Sequence, residues 1–219
     1  MNRPLLIKIC GLRTPDDAKA TVDAGAQLGG LVFAQASPRR VNLREAHKVR
    51  DILFGNAEVV GLFANNAFEE IAATHSAVGL DRIQLHGAED DAFTERVERE
   101  IGLPVLRAVP IATRNDAKAA DDRKGSALLF DAKPPKNDAQ TGGHGMAFDW
   151  LALKGYDGER NFLLAGGLTP DNVGEAIKTA SAHDAFVGVD VSSGVEIERG
   201  VKDSTLIHTF ADAARATLG

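Results

Sequence analysis

Residues 161–195 read NFLLAGGLTPDNVGEAIKTASAHDAFVGVDVSSGV. Asn161–Gly167 is a short β-rich run that ends in a Gly-Gly pair, and Asp171–Ala180 carries apolar residues at helical spacing. Ala185–Ser193 is a second β-rich run, ending just before Gly194. Strand, helix and strand in that order predict two parallel strands joined by a right-handed crossover. Thr169-Pro170 reads as an N-cap followed by proline in the first turn. Glycines at such junctions let backbone N–H groups approach a phosphate, and a helix N-terminus adds a favourable dipole. A lone Gly-Gly reads more readily as a mere turn. Two such loops on successive strands favour a phosphate site at Gly166, Gly167, Ser193 and Gly194.

The same unit repeats toward the N-terminus. Further strand candidates are Leu5–Gly11, Leu28–Phe33, Glu58–Ala64, Arg82–Gly87, Val105–Ile111 and Ala127–Ala132. Helical spacing recurs in Asp16–Ala24, Leu43–Leu53, Phe68–Ala77 and Asp91–Ile101, and Lys202–Leu218 closes the series. Thr14-Pro15 is a second helix-start signal. Eight strand–helix alternations predict a closed (β/α)8 barrel of the α/β class, a TIM barrel, although an open doubly wound sheet has similar local signals. No linker divides the chain, so residues 1–219 read as a single domain. The longest irregular stretch, Lys133–Ala147, follows the sixth strand and contains Gly142-Gly143-His144-Gly145. A loop of that length in a compact domain is more often functional than idle.

Strand parity then selects side chains. Successive residues point to opposite faces, so Lys8 and Cys10 share one face of the first strand while Ile7 and Ile9 share the other. Gln84 and His86 oppose Ile83 and Leu85, and Leu129 and Asp131 oppose Leu128 and Phe130. With the apolar sets packed under helices, the polar sets point into the barrel near its C-terminal mouth, where this fold keeps its active sites. Asp131, at the end of an apolar strand, suits a general acid, because desolvation there keeps a carboxyl protonated. Cys10 alone reads as a small buried hydrophobe; a functional role requires thiolate character and a lowered pKa. The first and sixth strands lie three steps apart around an eight-strand ring, placing Cys10 and Asp131 obliquely across the mouth. Arg39, in Ser37-Pro38-Arg39-Arg40, suits a substrate carboxylate or else an exposed loop. His86 and Asp190 are candidate substrate contacts, with a structural histidine the competing reading for His86.

Composition narrows the function classes. Hydrophobic residues make up 44% and charged residues 26%, ordinary for a globular enzyme. The net charge of −6 and the lack of a dense basic run argue against nucleic-acid binding. No apolar run approaches the ~20 residues that span a membrane, and the start shows no signal-peptide pattern. One cysteine cannot form an intramolecular disulfide, which suits a reducing, cytoplasmic location. The six histidines show no HxH or HExxH spacing and no dinucleotide GxGxxG follows a strand, so neither a metal nor a nicotinamide cofactor is expected.

Taken in order, Lys8-Ile9-Cys10-Gly11-Leu12, Ser37-Pro38-Arg39, Gln84-Leu85-His86-Gly87, Leu129-Phe130-Asp131-Ala132, Gly142-Gly143-His144-Gly145, Phe148-Asp149-Trp150, Ala165-Gly166-Gly167-Leu168, Asp190–Glu196 and Lys202-Asp203 resemble the phosphoribosylanthranilate isomerase family over nearly the whole chain. The resemblance implies a cofactor-free Amadori rearrangement of N-(5′-phosphoribosyl)anthranilate to 1-(2-carboxyphenylamino)-1-deoxyribulose 5-phosphate in tryptophan biosynthesis. It implies Asp131 as general acid, Cys10 as general base and Arg39 as the contact for the anthranilate carboxylate. It also implies a phosphate site at Gly143, Gly145, Gly166, Gly167, Ser193 and Gly194. Two departures stand out. Ala34-Gln35-Ala36 replaces the family's usual aromatic or histidine and proline before Ser-Pro-Arg, and Arg40 stands where an aromatic is common. A histidine-pathway aminoaldose isomerase uses aspartate where this chain has Cys10. A non-catalytic phosphoribosyl-binding barrel has no need of both Cys10 and Asp131. A small-molecule phosphoribosyl ligand and a monomer or homodimer complete the expectation.

Overall fold

Eight parallel strands pair in sequence order and close on themselves. They are β1 (Leu6–Cys10), β2 (Leu28–Val32), β3 (Glu58–Phe63), β4 (Arg82–Leu85), β5 (Val105–Ile111), β6 (Ala127–Ala132), β7 (Phe162–Leu164) and β8 (Phe186–Val191). Closure is made by β8 against β1, with Leu6 opposite Gly188 and Lys8 opposite Asp190. This eliminates the open doubly wound alternative, because no strand is left as an edge. The computed structural model describes residues 4–133 and 149–217, so the expected phosphate contacts Gly143 and Gly145 lie outside the described residues.

The helices are α1 (Pro15–Asp23), α2 (Leu43–Leu53), α3 (Phe68–Val78), α4 (Asp91–Ile101), α5 (Arg114–Ala120), α6 (Val173–Ala180) and α7 (Ser204–Ala216). A 3₁₀ helix, Trp150–Gly155, occupies the described part of the crossover between β6 and β7. Thr14 caps α1 as the sequence predicts: its side chain accepts from the Asp17 N–H and Pro15 opens the helix. Two starts differ from expectation. Thr169 does not cap α6, because the Asn172 side chain accepts from the Thr169 N–H at 2.8 Å and donates to the Gly167 carbonyl at 3.0 Å. That pair of bonds holds Pro170 in a turn and delays the helix to Val173. Similarly, α7 begins at Ser204, capped by Asp203. Lys202 instead belongs to a small antiparallel pair outside the barrel, β9 (Glu196–Glu198) with β10 (Val201–Lys202).

Parity sorts the core into separate layers. Ile7, Ile9, Ile83, Leu85, Leu128 and Phe130 pack outward under helix residues such as Val49, Ile177 and Phe210. Phe130 stacks on Phe162 with ring centroids 4.5 Å apart, and Tyr156 meets Phe130 edge-on. Full burial of each phenylalanine contributes about 2–3 kcal/mol. Inside the barrel, Leu106, Ala108, Ala127, Leu129, Leu163 and Ala165 fill one side. The β1–β8 side holds Lys8 and Asp190, both buried. The barrel interior is thus apolar on one flank and ionic on the other.

Candidate active site

A single cavity at the C-terminal mouth is lined by Cys10, Arg39, Gln84, His86, Asp131, Gly166, Gly167, Asp190 and Ser193, among others. Every described residue singled out in the sequence as a site candidate lines it except Gly194. A Cβ added at Gly194 would sit 1.8 Å from the Leu168 carbonyl oxygen, so only glycine lets the loop after β8 lie against the loop after β7. Gly166 and Gly167 both take positive φ, +82° and +66°, a left-handed conformation that glycine adopts without steric cost. The two loops together close one end of the cavity, the usual phosphate position of this fold.

Cys10 ends β1 and is 4% exposed, packed with Val32 and Ala34 and flanked by Leu62 and Ala64. Burial pushes its thiol pKa up; Lys8 and Lys202 pull it down, and Asp190 opposes them. The sequence reading required a lowered pKa for a functional cysteine; here burial moves it the other way. Lys8 shares the inward face, but its ammonium is already paired with Asp190 at 2.9 Å, which mutes its effect on sulfur. Burial also works against the Lys8 charge, yet Asp190 and the sulfur keep its pKa above the ordinary lysine value. Removing one partner of such a buried pair typically costs about 3–5 kcal/mol.

Across the cavity, Asp131 accepts two hydrogen bonds. His86 Nε2 lies 3.0 Å from Oδ2, and the Ala132 N–H donates to Oδ1 at 2.8 Å. The Gln84 amide nitrogen lies 2.9 Å from His86 Nδ1. An amide N–H donating to Nδ1 fixes the ring proton on Nε2, where it faces the carboxylate. The sequence places His86 among substrate contacts; the structure sets it against Asp131, on the same wall.

The third group was visible in the sequence only as part of a motif. Glu196, the first residue of β9, accepts from Arg39 Nε at 2.7 Å and Nη2 at 2.8 Å, a two-pronged pair. Lys202 Nζ donates to the same carboxylate at 2.7 Å and to the Ser192 carbonyl at 2.9 Å. Burial raises the Glu196 pKa, but Arg39 and Lys202 more than reverse this and hold it at about 2. A carboxyl lowered in this way stabilises the fold above its unfolded pKa, and that stability is lost as pH falls through the folded value. Relative to Glu196→Gln, the wild type is expected to be more stable by about 3 kcal/mol at neutral pH. The difference should vanish between about pH 4.5 and pH 2, which urea melts across that range measure. A gap that persists at pH 2 would assign it to packing instead of charge.

Among the described residues no group of three or more His, Cys, Asp or Glu side chains is placed to hold a metal ion. No described helix is long and apolar enough to cross a membrane.

The model of the N-(5′-phosphoribosyl)anthranilate (PRA) isomerase family matches residues 7–213. The chain belongs to this family. The N-(5′-phosphoribosyl)anthranilate isomerase of Rhodopseudomonas palustris (strain BisA53) is 44% identical over 216 residues, covering 98% of this chain and 97% of the relative. The crystal structure of phosphoribosyl anthranilate isomerase from Thermus thermophilus superposes with a TM-score of 0.85 at 29% identity, covering 98% of this chain and 100% of that one. A phosphoribosyl anthranilate isomerase in complex with reduced 1-(o-carboxyphenylamino)-1-deoxyribulose 5-phosphate gives 0.77 at 31% identity, with 97% and 100% covered.

Proposed function

We propose that this chain, a single domain acting in the cytoplasm as a monomer or homodimer, isomerises N-(5′-phosphoribosyl)anthranilate to 1-(2-carboxyphenylamino)-1-deoxyribulose 5-phosphate in tryptophan biosynthesis. The observation that carries the reading is one cavity with Cys10 and Asp131 on its wall and the two glycine loops at one end, in a chain of this family. The phosphate is held by the Gly166-Gly167 and Ser193-Gly194 backbones, helped by Gly143 and Gly145. The anthranilate carboxylate meets Arg39.

Asp131 gives its proton to the ribose ring oxygen as the C1′–O bond opens, leaving a protonated imine at C1′. The Cys10 thiolate then takes the C2′ proton, and the C–H electron pair forms the C1′–C2′ double bond of an enolamine. Loss of the C2′ hydroxyl proton and protonation at C1′ give the ketose, so the sum of the steps is an isomerisation without external reductant or oxidant. His86, whose Nε2–H faces Asp131 at 3.0 Å, holds the carboxyl in place, and the proton returns to Asp131 from solvent between turnovers. A buried thiol is a minor thiolate at neutral pH but a stronger base when it forms, which suits removal of a proton from carbon. Asp190, tied to Lys8 through Oδ1, lines the same cavity and serves as a contact for the sugar.

The rival aminoaldose isomerisation of the histidine pathway is disfavoured by Cys10. Purified protein mixed with phosphoribosylanthranilate generated in situ should abolish the anthranilate-type fluorescence in an enzyme-dependent way. Unchanged emission at micromolar protein would overturn the proposed activity.

A further inference from the structure

The β9–β10 pair is extra to the barrel, yet it buries charge at the barrel mouth. Glu196 and Lys202 have side chains 4% and 1% exposed. Charges this dry are retained at a cost in desolvation, and a hairpin needs neither of them to fold. What they do is fix Arg39. The Glu196 fork engages Nε and Nη2, which sets the guanidinium plane and leaves the Nη1 donors of Arg39 outside that fork, in a side chain that lines the cavity. The carboxylate is anchored from behind by Lys202 and by the Gly200 N–H at 3.0 Å. Lys202 reaches on to the Ser192 carbonyl, and the Ser192 hydroxyl donates to the Cys10 carbonyl at 3.1 Å. Arg39 is thereby referenced to the same backbone that carries the base. Two cations against one carboxylate leave a formal +1 at this end of the cavity, suited to one anionic group.

Resting on the assignment of Arg39 to the substrate carboxylate, we propose that Glu196 is a positioning residue for carboxylate recognition, clamping the Arg39 guanidinium in the orientation that meets the anthranilate carboxylate. The chemistry it selects is an N-aryl ribosylamine phosphate with an ortho carboxylate over one without. Glu196 does not touch the substrate, so its loss weakens binding and leaves the proton transfers in place.

The test compares two substrates, phosphoribosylanthranilate and its counterpart made from aniline, on each preparation of wild type, Glu196→Gln, Glu196→Asp and Arg39→Ala. Both substrates are measured on one sample, so any unfolded fraction cancels in the ratio of their kcat/KM values. Glu196→Gln is expected to cut the preference for the carboxylate substrate roughly tenfold, through KM with kcat held, as expected when a charge-assisted contact loosens. Glu196→Asp should recover part of it, and Arg39→Ala should lose more than either. If Glu196→Gln lowers both rates together and keeps the wild-type preference, while Arg39→Ala loses it, the clamp is overturned and the Arg39 assignment stands. If Arg39→Ala also keeps the preference, the Arg39 assignment fails and the clamp with it. Absence of wild-type turnover on both substrates would instead overturn the proposed activity.

Discussion

Asp131→Asn is expected to lower kcat by roughly two to four orders of magnitude, the usual worth of a positioned general acid, with the affinity for a reduced product analogue nearly unchanged. The substitution isolates the proton. An asparagine is nearly isosteric and its Oδ1 can still accept from the Ala132 N–H, while its NH2 faces the His86 Nε2–H and gives up that one contact, so the wall of the cavity keeps its shape at the loss of a single hydrogen bond. What it lacks is an acidic O–H to give to the ribose ring oxygen. Asp131→Ala should therefore lose no more turnover than Asp131→Asn. Its thermodynamic cost should be about 1 kcal/mol, because the orphaned His86 Nε2 faces a cavity open to water. Single-turnover fluorescence on the two variants, with urea melts alongside, measures both quantities. If Asp131→Asn kept more than a tenth of wild-type kcat while Asp131→Ala did not, the carboxyl would be a hydrogen-bonding fixture and the acid would have to be sought at His86.

How far the sequence reaches depends on whether a contact is local or comes from closure of the barrel. Period-two alternation put Lys8, Cys10, Gln84, His86 and Asp131 on the inward face, and the barrel places them there, because parity needs no knowledge of what lies opposite. Capping was read correctly at Thr14, where every partner lies within three residues. It failed at Thr169, where the Asn172 side chain competes for the same N–H. Long-range pairs were invisible. Lys8 meets Asp190 across 182 residues and Arg39 meets Glu196 across 157. No periodicity encodes those distances; ring closure between β8 and β1 creates the first, and the β9–β10 hairpin creates the second. The roles of Cys10 and Arg39 came from resemblance, since an isolated cysteine and a loop arginine carry no local signature of function. For Cys10 the spacing favoured a core thiol, and its near-complete burial is what that reading describes.

That burial makes the second large prediction sharper. Cys10→Ala is expected to cost roughly two to four orders of magnitude in kcat, with a stability change of only about 1 kcal/mol, because the sulfur is replaced by little more than a small void among Val32 and Ala34. Cys10→Ser should be nearly as inactive. A serine hydroxyl ionises far less readily than a thiol in the same apolar surroundings, so shape alone rescues nothing. The wild-type pH profile provides the independent check. Burial pushes the Cys10 thiol above its ordinary value of 9.0, despite the pull of Lys8 and Lys202. The active thiolate therefore grows with pH throughout the neutral range, and kcat/KM should climb with alkaline pH where chemistry limits the rate. The fold tolerates this range, because the Lys8 pKa is held above the ordinary lysine value by Asp190 and the sulfur, so the buried pair keeps its charges while Cys10 ionises. A profile flat from pH 7 upward would mean that the titrating base has a pKa below 7, against the direction in which burial moves the Cys10 thiol. The C2′ proton would then have to go to another group on the cavity wall, and Cys10 would return to being a packed core thiol.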